Sequence, residues 1–102
     1  MATTVRLLTE SDVASTVVGR VAVSSDVPPR PDDMLPGTDA QVYGSVPSAW
    51  FSQGLIPVSR GCRIETVGIV SYKRQVLTTI TGAFEQWQRG YAGSWSAWTK
   101  VL

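Results

Sequence analysis

Glu65 and Glu85 are the only acidic side chains after Asp39, and the sequence contains no histidine. Carboxylate chemistry in that stretch therefore rests on two groups. Glycoside hydrolysis needs such a pair facing each other across a sugar-binding cleft, but Glu85 has a different assignment here, as an ion-pair partner for Lys100 across a hairpin. Without histidine there is no histidine-based triad and no zinc site of the usual kind. The glycines sit scattered at turn spacing and form no phosphate-cradling loop. Cys62, the single cysteine, excludes an intramolecular disulfide framework and reads as a small buried apolar residue. These residues point away from an enzyme, and no cofactor or metal site is expected.

Binding chemistry is better represented. Trp50, Phe51, Trp87, Tyr91, Trp95 and Trp98 offer flat apolar faces of the kind that sugar rings stack on, while Lys73, Arg74 and Arg89 supply cationic donors. Burial competes with that use, because each tryptophan ring removes a large area from water. For the hairpin tryptophans burial is the favoured reading: Trp87 and Trp98 in a core, Trp95 packed between chains. The ligand-contact candidates are then Trp50 and Phe51 in a loop, where binding residues concentrate, Lys73 and Arg74 at an exposed hairpin tip, and Arg89 with Tyr91.

The charge distribution fits this picture. Net charge is +1 overall, which argues against nucleic acid as a primary partner. After Asp39, Arg60, Arg63, Lys73, Arg74, Arg89 and Lys100 face only the two glutamates. This mildly basic part suits an anionic partner such as an acidic polysaccharide. Solvated charges that keep sheet edges from aggregating are the plainer explanation.

Elements that place these residues can be read from pattern. Thr9 or Ser11 opens a weak helix whose stripe is Val13, Val17 and Val18 with Ala14, and Val21-Ala22-Val23 suits a short strand. Four prolines between Ser24 and Gly37 mark an extended linker with a turn at Pro36-Gly37. From about Gln41 the chain reads as β, with Leu55–Val58 broken by Pro57 into an edge strand or extended segment. Strands are expected over 63–72, 75–81, 84–91 and 95–102, an antiparallel meander. In the last hairpin, Ala92-Gly93 at the tip sets Trp87 opposite Trp98 and Glu85 opposite Lys100. In the first strand of the meander Ile64, Thr66, Gly68, Val70 and Tyr72 share one face, with Val67 and Ile69 on the other. Both faces carry apolar groups, so a second layer from another copy is expected. The divisions are an N-terminal arm (1–23), a proline-rich linker (24–39) and an all-β domain (40–102).

Arg89, a glycine-containing turn, and then Ser94-Trp95-Ser96-Ala97-Trp98-Thr99-Lys100 resemble the C-terminal signature of tail-fibre proteins of tailed bacteriophages. More narrowly the chain is similar to the knob domain of R-type pyocin tail fibres. The matching pattern runs through Ile64–Val70, Gln75–Ile80, Phe84–Arg89 and Trp95–Trp98, and Asp33-Met34-Leu35-Pro36-Gly37 echoes the family's lead-in. The resemblance covers roughly residues 33–102. The aromatic residue expected soon after the Pro-Gly turn arrives late, as Tyr43.

The resemblance implies a small antiparallel knob-like β domain that assembles as a homotrimer in a short tail fibre. It implies non-catalytic binding to a bacterial surface polysaccharide during host adsorption, with the arm attached to other tail or baseplate proteins. A purely structural tail adaptor without receptor contact, or a free lectin, are the alternatives. No leader or membrane-spanning stretch is apparent in the sequence, so synthesis in the host cytoplasm and residence in the virion tail are expected.

Overall fold

Alternation of inward apolar and outward polar residues drives residues 62–79 into a hairpin that forms the middle of one sheet. The computed structural model describes residues 19–23 and 29–102; the helix expected after Thr9 lies outside them. Six strands appear in chain order across the sheet: β1 (Gly19–Val23), β2 (Thr38–Val42), β3 (Cys62–Ile69), β4 (Tyr72–Thr79), β5 (Gln86–Tyr91) and β6 (Thr99–Lys100). All neighbours are antiparallel except β1 and β2, which run parallel with Gly19 beside Thr38 and Val23 beside Val42. The meander expected from sequence is therefore present. The strand at Val21–Val23 is present too, but as part of the same sheet.

A parallel pair needs a crossover connection, and this one runs through the proline-rich stretch. Pro31–Asp33 forms a 3-10 turn, and Pro31 and Met34 are buried. This part of the segment packs on the sheet instead of serving as an extended spacer. Composition favours an extended chain there, but Met34, with no exposed surface, joins the core.

One sheet face is covered. Cys62, Ile64 and Thr66 of β3 and Gln75, Leu77 and Thr79 of β4 are buried on it. Over them lies α1 (Val46–Ser52), a short helix that was expected to be loop. Pro47 stands in its first turn, where a missing N–H costs nothing. At its other end Gly54 adopts φ 77°, with Gly54 N–H donating to Phe51 O and Leu55 N–H to Trp50 O. That is the bond pair of a Schellman stop. Val46 and Trp50, four apart, face inward with Ile56 and Val58 to complete the core. Leu55–Val58 forms no strand.

The opposite face has no such cover from the described residues. By strand alternation it presents Arg63, Glu65, Val67 and Ile69 of β3 with Tyr72 and Arg74 of β4. Val67, Ile69 and Tyr72 are more than half exposed. Near the tip, Gly68 takes φ 113°, and a β-carbon there would overlap the Tyr72 carbonyl oxygen. Only glycine fits that close approach.

The terminal hairpin departs from the expected register. Trp87 pairs with Lys100 and Gln88 with Thr99, so the partners arrive two residues later than expected, while Tyr91 bridges to Trp95. The tip therefore holds Ala92-Gly93-Ser94, and one extra residue accumulates between Trp95 and Thr99. Residues three apart on a regular strand point to opposite faces; the irregular stretch lets Trp95 and Trp98 approach the same partner, Arg89. The expected ion pair forms all the same, on the diagonal, with Lys100 Nζ 3.6 Å from Glu85 Oε2.

Gly68→Ala is expected to destabilise the fold by about 1–3 kcal/mol, since the left-handed backbone and the close carbonyl both resist a side chain. Urea unfolding of the variant against the parent checks this; equal midpoints would show that the hairpin yields at no cost.

Candidate functional site

Strand pairing carries Lys73, Gln75 and Leu77 of β4 alongside Tyr91, Arg89 and Trp87 of β5, each directly opposite its partner. The covered face thus grades along its length from apolar to polar to aromatic and cationic. Leu77 has no exposed surface, and Trp87 packs against the core beside it. Gln75, fully buried, donates from Nε2 to Pro31 O at 2.6 Å and to Thr66 Oγ1 at 3.1 Å. Its Oε1 accepts from Arg89 Nε at 2.8 Å. Arg89 in turn donates to Asp32 Oδ1 at 2.8 Å.

Arg89 is 7% exposed. Burial pushes its guanidinium pKa down, and the hydrogen bond and charge of Asp32 oppose that shift. The guanidinium carbon also lies 4.0 Å from the Trp95 ring centroid and 4.7 Å from that of Trp98, a doubled cation–π contact. Trp98 Nε1 donates to Leu55 O at 3.0 Å, tying the last loop to the segment after α1. Arg89, expected among the ligand contacts, is therefore a buried structural hub.

Beyond this hub the sheet ends in an open groove of about 620 Å³. Tyr72, Lys73, Arg74, Tyr91, Trp95 and Ser96 contribute to its walls, and among the described residues no acidic side chain lines it. Lys73 Nζ stands 4.5 Å from the Tyr91 centroid and 5.5 Å from that of Trp95. The two rings touch each other at 5.1 Å with a 58° tilt.

The other cations of the β region are engaged. Arg63 bonds Asp39 through two nitrogens at 2.8 and 2.9 Å and reaches Glu65 at 3.2 Å. Arg60 and Lys100 both contact Glu85, at 3.2 and 3.6 Å. Among the described residues, Lys73 and Arg74 form no ion pair.

The structure thus brings together three sequence candidates, Lys73, Arg74 and Tyr91, and adds Trp95. Lys73 and Arg74 lie within β4 opposite Gly68 and Val67, and the hairpin tip is Val70-Ser71. They were expected at that tip because Lys-Arg looked like a polar turn, but the ladder continues past them. Trp50 has no exposed surface and presents no ring to a ligand. Phe51 is exposed on α1, outside the groove lining. Pro47 in its first turn and Gly54 just past its end are the signals that mark the helix in the sequence.

Cys62 is buried, and desolvation pushes its thiol pKa up to about 12, which leaves little thiolate for nucleophilic chemistry at neutral pH. Among the described residues no three histidine, cysteine or acidic side chains converge on one point, and no helix is long and apolar enough to cross a membrane. In comparisons with protein-family models, curated proteins and solved structures, the chain matches none.

Glu85 yields a pH prediction. Trp87 Nε1 donates to it at 3.1 Å, Arg60 and Lys100 flank it, and its carboxyl lies below the ordinary carboxylate range, chiefly through the Trp87 bond and then that of Arg60. A depressed folded-state pKa stabilises the fold above the unfolded value and loses that contribution as pH falls through the folded one. Thermal melts of the parent and Glu85→Gln should differ at neutral pH and converge in acid. A gap that persists undiminished in acid would assign the effect to packing.

Proposed function

We propose that this chain is a non-catalytic recognition component of a phage-type tail fibre, binding a bacterial surface glycan through the groove at the end of β4 and β5. The observation that carries the reading is the convergence of Lys73, Arg74, Tyr91 and Trp95 on one open groove. Aromatic rings beside cations that form no ion pair among the described residues suit polyhydroxylated, charged surfaces. Among the described residues none in the groove supplies a carboxylate, and the thiol is buried away from it, so recognition without turnover fits better than hydrolysis. The tail-fibre assignment rests on the tryptophan hairpin and its resemblance to the knob domain.

A homotrimer belongs to the same proposal. Its support is the open sheet face, where Val67, Ile69 and Tyr72 are more than half exposed; an apolar group of this kind on a small sheet favours association. In this arrangement residues 1–23, whose last five form β1, link the knob-like domain to a tail or baseplate protein. A structural adaptor without receptor contact would use the same open face and leave the groove unoccupied.

Competition with intact particles for host cells separates these readings. The parent protein is expected to reduce adsorption, and Trp95→Ala or Tyr91→Ala to lose that effect while remaining folded by circular dichroism. Full competition by both variants would remove the groove from recognition and favour the adaptor. Sedimentation equilibrium should give the mass of three 11.0 kDa chains; a single-chain mass would sink the trimer.

A further inference from the structure

We infer that the groove selects an anionic saccharide, one carrying a carboxylate or phosphate, over a neutral one, and that Lys73 is the residue that reads the charge. The inference rests on the glycan-binding reading of this groove and goes beyond it by naming the ligand class.

The aromatic faces here are already engaged by cations. Trp95 has the Arg89 guanidinium 4.0 Å from its centroid and the Lys73 ammonium 5.5 Å away. Tyr91 has the same ammonium at 4.5 Å. A neutral sugar that stacks on the Tyr91 face holding Lys73 must displace that contact and gains no charge interaction in return. An anionic group has no such conflict, since it approaches the ammonium from the side away from the rings.

The rings also restrict a side chain that otherwise surrenders considerable rotamer freedom on binding. Lys73 is thereby preorganised, which lowers the entropic cost of capturing an anion. Local charge points the same way. Arg60, Arg63, Arg89 and Lys100 are each offset by a carboxylate, but among the described residues Lys73 and Arg74 form no ion pair and no acidic side chain lines the groove. Lys73 and Arg74 alternate across β4, opposite Tyr91 and Gly90 respectively. Arg74 therefore faces the other side of the sheet, and Lys73 is the cation that stands beside the two rings. Arg74 is exposed.

The test uses the full chain in titration calorimetry at low salt with two probe pairs. One is an oligogalacturonide and its fully methyl-esterified form; the other is a phosphorylated mannose oligosaccharide and its dephosphorylated form. The parent is expected to bind at least one anionic probe about tenfold more tightly than its neutral counterpart, with the preference shrinking as salt rises. Whichever pair shows it identifies carboxylate or phosphate as the source. Lys73→Met should abolish the preference, and Lys73→Arg should retain most of it. Melting curves that match the parent confirm that each variant is folded.

Equal affinity for anionic and neutral probes, or a preference that survives Lys73→Met, overturns the inference. If neutral probes bind equally well and the chain still competes for host cells, the glycan reading stands without the charge selection. If no probe binds and competition fails as well, both fall.

Discussion

The guanidinium of Arg89 is the constraint around which this small fold closes. A buried cation is costly unless every part of it is engaged, and here several distant stretches of chain supply what it needs. Gln75 comes from the neighbouring strand, Asp32 from the crossover, and Trp95 and Trp98 from the irregular stretch before β6. Gln75 extends the network to Pro31 and Thr66. Elements far apart in the chain are thus held in one arrangement by a chain of directional bonds. In a domain this small, where the apolar core is limited, such a network fixes which loop lies where.

The same network explains the strand irregularity. An unbroken hairpin would send Trp95 and Trp98 to opposite faces, and only one ring would meet Arg89. The additional residue before Thr99 disrupts the regular ladder between Trp95 and β6 and gains two ring contacts on a buried charge. It also sets the groove, because Trp95 carries Arg89 on the interior side and forms a wall on the exterior with Tyr91 and Lys73. Core and groove share one side chain.

Much of the β architecture was legible from period-two alternation at Cys62–Thr66 and Gln75–Thr79, and from the turn signals between strands. The missed parts depend on tertiary partners. Pro31 and Met34 lie in a stretch whose composition argues for a spacer, and only a sheet face to pack on makes them core. Trp50 looked like a loop aromatic because Val46–Ser52 is too short for a clear helical period. Arg89 looked like a surface donor because sequence alone gives no sign of Gln75 and Asp32 beside it. Lys73, Arg74 and Tyr91 were identified by type, but their convergence follows from register. The Glu85–Lys100 pair formed despite a two-residue slip, since long side chains reach diagonal as well as opposed neighbours.

The parallel edge strand has a mechanical consequence. Gly19 enters β1 beside Thr38, toward the Thr66 end of the sheet, whereas the chain leaves β6 at Leu102 beside Gln86, toward the Thr78 end. Tension applied through Gly19 and Leu102 pulls both edge strands along their own axes in opposite directions. Their interstrand hydrogen bonds run across that axis, so they are loaded in shear and share the force, instead of peeling one at a time as in an unzipping hairpin. This geometry resists extension without needing a larger core.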